Sequence, residues 1–132
     1  MARNTKVRAG QPTTTQAARP APMDMDHLDR QTLGDPGLRE EVLRLYSSMS
    51  GVYLGRIQQS GDLPALLENL HTLKSAAAGI GAVVVHERAR DAEEIARHNG
   101  AADPASLLAV ATAVVECQVF IHGFISTPEN PV

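Results

Sequence analysis

From residue 24 onward the apolar residues recur at steps of three and four, and they never alternate with period two over a useful length. A chain written this way buries its apolar side chains by packing helix against helix. Asp, Pro and Gly punctuate the pattern. A short first segment, Asp26 to Leu33, carries Leu28 and Leu33 and stops at Gly34. Asp35 and Pro36 then predict a helix start, with Asp35 as N-cap and Pro36 at the first helical position. This second helix is expected to reach about Gln59, with Leu38, Val42, Leu45, Tyr46, Met49, Val52, Tyr53 and Ile57 on its apolar side. Ser60 and Gly61 end it, and Asp62 caps the third. There Leu63, Leu66, Leu67, Leu70, Leu73, Ala77 and Ile80 form the stripe. A fourth helix is expected from about Ala82 to His98, with Asn99 and Gly100 as its stop. Asp103 and Pro104 start a fifth, apolar from Leu107 through Ile125 and closed by Thr127 and Pro128. Val83, Val84 and Val85 are β-branched but too few for a strand. The expected fold is therefore all-α: an antiparallel four-helix bundle with a short extra N-terminal helix. The fifth helix is apolar around most of its circumference and is expected to lie deepest.

Charge divides the chain. Residues 1–23 carry Arg3, Lys6, Arg8 and Arg19 and no acid, giving +4. Residues 24–132 carry 8 basic and 15 acidic residues, giving −7. The first segment lacks apolar periodicity and is expected to be a disordered basic tail, with the bundle domain spanning 24–132. Met23 and Met25 sit where the folded part is expected to begin, and translation is open to starting there instead. The negative bundle argues against nucleic-acid binding, which needs a basic surface. The one cysteine, Cys117, can form no internal disulfide and is expected to be an inert core thiol in a reducing cytoplasm. No unbroken apolar run reaches membrane-spanning length, so no membrane segment is expected. A chain carrying its own full bundle is expected to be a monomer.

The third helix carries the chemistry. On a helical wheel His71 falls about 120° from the centre of the leucine stripe and so projects toward solvent. Lys74 lies one turn on, between the histidine face and the stripe, and its stem can run over apolar atoms while its ammonium reaches toward the imidazole. Ser75, Ala78, Gly79, Gly81 and Ala82 keep the surroundings low, so a partner's site could close over the histidine. A surface imidazole is a good nucleophile near neutral pH. On taking a phosphoryl group it would carry about two negative charges, which Lys74 would offset.

His71-Thr72-Leu73-Lys74-Ser75-Ala76-Ala77-Ala78-Gly79-Ile80-Gly81-Ala82 resembles the signature of histidine-containing phosphotransfer (HPt) domains. In that family leucine and lysine follow the phosphorylated histidine at the second and third positions. Small residues come next, with a glycine at the tenth. The acidic, arginine-containing stretch Glu87–Glu93 is similar to the family's next helix, and the likeness covers about residues 26–126. One departure is Ser75, where the family commonly has glycine. The resemblance implies a phosphoryl carrier without a kinase or ATP site, working between receiver-domain aspartates of a hybrid histidine kinase and a response regulator in a two-component phosphorelay. His71 would be the phosphoacceptor and Lys74 the stabilising charge. Glu68, Ser75, Ala78, Gly79, Gly81 and Ala82 would form the docking surface. No cofactor or metal is expected on this chain, and Mg²⁺ would belong to the receiver.

Blander roles suit the other residues. His27, His86, His98 and His122 read as surface or helix-end groups, and no two histidines stand at a helical metal-binding spacing. Gly51 and Gly55 suggest close helix packing, and Tyr46 and Tyr53 suggest core. Glu93 and Glu94 read as a solvated face. Two alternatives to a carrier remain: a helical binding module that sequesters or inhibits a kinase or receiver without being phosphorylated, and a purely structural bundle.

Overall fold

The computed structural model describes residues 21–125. Among these residues there are five helices and no strand: α1 (Met25–Gln31), α2 (Pro36–Gln58), α3 (Leu63–Ile80), α4 (Val83–Asn99) and α5 (Pro104–Ile125). The expectations for the basic tail up to residue 20, and for Thr127 and Pro128, lie outside the described residues.

Aspartates start four of the helices by the same local device. Asp24 Oδ1 accepts from His27 N at 3.1 Å, Asp35 Oδ1 from Gly37 N at 2.9 Å, Asp62 Oδ1 from Ala65 N at 2.9 Å and Asp103 Oδ2 from Ser106 N at 3.0 Å. Each satisfies an amide that the helix itself leaves unpaired. The short connections then return each long helix against the last. α2, α3, α4 and α5 close a ring, each packed on the next and α5 on α2, while α1 lies across the end of α3.

Leu43, Leu70, Leu73, Val85, Val110 and Val114 are fully buried at the centre of this ring. Some expected core residues are not there. Leu38, Leu45 and Val52 are exposed, and Leu43, absent from the expected stripe, is buried. Steps of three and four on a long helix cover two adjacent faces, and only the neighbouring helices choose between them. Met23, expected in the tail, is buried against the core, so ordered chain begins before residue 24.

α5 does not lie deepest. Val110, Val114, Cys117 and Ile121 face the core, but Leu108, Val115 and Val119 face outward. Among the described residues it is the one helix long and apolar enough to cross a membrane by length and composition. A search for unbroken apolar runs misses it because Thr112, Glu116, Gln118 and His122 interrupt the sequence. Its inner face packs against α4 and α2. Gln118 Nε2 donates to Ser47 O on α2 at 3.0 Å. A Cβ on Gly51 would stand 3.1 Å from that nitrogen, so here glycine does mark a close helix approach. Burial pushes the Cys117 thiol up to about 11, which keeps it in the unreactive protonated form.

Candidate functional site

α3 is amphipathic, and its leucine stripe turns the opposite side outward. Leu66, Leu70, Leu73 and Ala77 are buried, which fixes the rotation of the helix. His71 stands on the outer side with 60% of its side chain exposed. Glu68, Ser75, Ala78 and Gly79 are exposed on the same side. The surface beyond His71 is therefore low and open toward the C-terminal end of α3.

Lys74 does not simply reach for the imidazole. Its ammonium rests 2.9 Å from Oε1 of Glu93 on α4. The other oxygen, Oε2, lies 3.1 Å from Arg97 Nη2 and 3.4 Å from His71 Nδ1. Glu93 is buried, with 3% of its side chain exposed, and does not belong to a solvated face. Burial alone pushes its carboxyl up. The hydrogen bonds and charges of Lys74 and Arg97 outweigh that effect and hold it below its ordinary value. The site is thus an exposed imidazole whose inner nitrogen faces a buried carboxylate, with two cations on that carboxylate.

The Hpt domain family matches residues 21–119, three quarters of the chain. The chain belongs to the Hpt family. Membership implies histidine phosphotransfer in a phosphorelay, by a carrier that interacts with receiver domains. No curated protein and no solved structure matches the chain.

Gly81 and Ala82 do not lie on the open face of this Hpt domain. Both are buried at the α3–α4 corner. Gly81 ends α3 in the left-handed region at φ 85°, and Ala82 N closes the turn on Ala77 O at 2.8 Å. Gly81 O accepts from Asp24 N at 2.8 Å, and a Cβ on Gly81 would stand 3.0 Å from Asp24 O. The glycine is therefore the seat on which α1 docks. Gly81→Ala is expected to destabilise the domain by about 1–3 kcal/mol, through left-handed strain and displacement of Asp24. Chemical denaturation checks it; an unchanged midpoint would show that the corner adapts freely.

Two histidines also do more than sit on the surface. His27 Nε2 lies 3.0 Å from Gly79 O, and His86 Nδ1 lies 3.2 Å from Lys74 O. With those nitrogens protonated, each donates to an α3 carbonyl, one at the helix end and one beside the site. Among the described residues no group of three or more His, Cys, Asp or Glu gathers as a metal set.

Glu93 is the functional-site residue that sequence reasoning missed. The signal was present: Glu93 follows Val85 and Ala89 at steps of four, which puts an acid on the buried stripe of α4. Its lowered carboxyl has a consequence for stability. Such a group contributes stability that is fully present above its unfolded pKa and lost as pH falls through the folded value. Stability is expected to fall below about pH 4.3. Glu93→Gln should flatten that part of the Tm–pH curve, and an unchanged acid limb would contradict the ion-pair account.

Proposed function

We propose that His71 Nε2 accepts a phosphoryl group from the aspartate of a hybrid histidine kinase's receiver domain and delivers it to the aspartate of a response regulator. The observation that carries this reading is the pairing of an exposed imidazole with a buried carboxylate 3.4 Å from its Nδ1. A negative charge at that position favours the proton on Nδ1 and leaves the Nε2 lone pair free to attack. Such contacts tighten when the reacting complex forms.

Lys74 supplies positive charge where the phosphoryl oxygens would arrive. Its ammonium has three donors, so one can stay on Glu93 while others turn outward. Glu68, Ser75, Ala78 and Gly79 would form the docking rim around His71, and Gly81 and Ala82 would hold its corner from beneath. The transfer is one of in-line positioning and charge stabilisation, which suits a low rim that a receiver can cover. Mg²⁺ would be held by the receiver's carboxylates. The reading needs a single copy of the chain and puts it in the cytoplasm, which the unpaired Cys117 thiol suits.

The test is incubation of the full chain with a phosphorylated receiver. Acid-labile, base-stable label on the chain is expected. Binding without label would favour the module that sequesters a receiver, and neither binding nor label would leave a structural bundle.

A further inference from the structure

We infer that the outer face of α5 is an interface between two copies of this chain, packed antiparallel about a two-fold axis. The inference is independent of the carrier reading of His71.

Closing the bundle leaves this face outside the core. Leu108, Val115 and Val119 are each half to two thirds exposed, and Thr112 is exposed between them. They follow one another at steps of four, three and four, the spacing of a seam along which one helix packs on another. The other outer faces are charged. α2 exposes Glu41, Arg44 and Arg56, and α4 exposes Glu87, Arg88, Arg90, Glu94 and Arg97. α5 carries one acid, Glu116, and no Lys or Arg. A contiguous apolar strip without charge marks an interaction surface and not a solvated one.

The shape of the face selects a second copy. A groove of about 420 Å³ lies between α4 and α5 along the first half of the seam, where Val84, Ala105, Leu108 and Thr112 line it. Val115 and Val119 stand beyond it, in the second half. A copy turned end for end lays its Val115 and Val119 along this groove, and its own groove receives the same pair in return. Leu108 then faces Val119 of the other copy, and Thr112 faces Val115. The contact uses one patch twice, so it closes at two chains.

The size sets the strength. α5 has 22 residues and is about 33 Å long. With the flank of α4 one helix spacing away, the face covers roughly 600 Å² per copy. Stable pairs bury about 800 Å² per partner, so a weak dimer is expected, with Kd on the order of 10 µM. A lipid surface fits less well, because an interfacial helix holds anionic headgroups with Lys or Arg, and α5 has neither. α3 and α5 each pack on α2 and α4, so they stand diagonally across the ring. Pairing through α5 therefore leaves both His71 faces open.

Sedimentation equilibrium of the full chain tests this, over about 1 to 500 µM. The mass is expected to rise with concentration from 14.1 kDa toward twice that value. Val115→Lys puts a charge in the seam on both copies and should weaken the dimer by about 100-fold or more. The side chain is exposed in one chain, so the melting temperature at the lowest concentration should stay that of wild type. Val119→Lys is the second variant should the first not fold. Orientation is read by disulfide formation: a mixture of Leu108→Cys and Val119→Cys chains should cross-link one to the other, and neither variant to itself. A wild-type chain that stays at 14.1 kDa throughout overturns the inference. So does a folded lysine variant that pairs as wild type does, or a Val119→Cys chain that cross-links to itself. Flotation of monomeric chain with vesicles of phosphatidylcholine and phosphatidylserine would assign the face to lipid instead and overturn it equally.

Discussion

His71→Gln is expected to take up no phosphoryl label from a phosphorylated receiver, while folding and binding the receiver as before. Glutamine offers an amide in place of the imidazole and has no nitrogen lone pair able to attack phosphorus. The fold should not notice. His71 is 60% exposed, and its charge contact with Glu93 is a long one at 3.4 Å. Surface changes of this kind are usually within about 0.5 kcal/mol. The two readouts must therefore separate: label lost, melting temperature kept. If the variant gains as much label as wild type, some other group is the acceptor and the account of α3 is wrong. If label and fold are lost together, the comparison should be repeated with His71→Asn, an equally non-nucleophilic side chain.

Lys74→Ala is expected to slow transfer by about 10- to 100-fold, because it removes the charge proposed to offset the phosphoryl oxygens. The geometry adds a cost that a free surface lysine would not have. Glu93 would keep Arg97 but lose its 2.9 Å partner on Oε1. Breaking a fully buried pair costs about 3–5 kcal/mol. Here Lys74 is partly exposed and Arg97 remains, so a loss of about 1–2 kcal/mol is expected. Lys74→Arg should restore most of the stability and part of the rate, since it returns the charge with a different reach. Transfer kinetics are measured by quench-flow with labelled receiver, and stability by denaturation. Wild-type kinetics in Lys74→Ala would remove the lysine from the mechanism.

The parts of this molecule legible in the sequence are those with local causes. Asp35, Asp62 and Asp103 could be placed at helix starts because an N-cap is decided within three residues. His71 could be turned outward because seven apolar positions fix the rotation of α3. What could not be read depends on neighbours distant in sequence. Nothing local says that Leu43 is buried and Leu45 is not. The spacing from Val85 and Ala89 puts Glu93 on the buried stripe of α4, but its partners Lys74 and His71 come from another helix and are met only when α3 is laid against α4. A glycine at position 81 signalled a close approach or a helix break before α4, but not the neighbour it meets. Its left-handed backbone is the local end of α3, but its contact with Asp24 arises only when α1 folds over the corner. The wheel therefore turned His71 outward, while the partners of the carboxylate behind it required the packing.

The central claim is that one histidine, presented by α3 and backed by Glu93, holds the phosphoryl group. The most direct measurement is to load the wild-type chain from a phosphorylated receiver and map the modified atom by ³¹P NMR with peptide mass analysis. A single acid-labile, base-stable phosphoryl group on Nε2 of His71 is the expected result. Label on Nδ1, on another residue, or no label at all would contradict it.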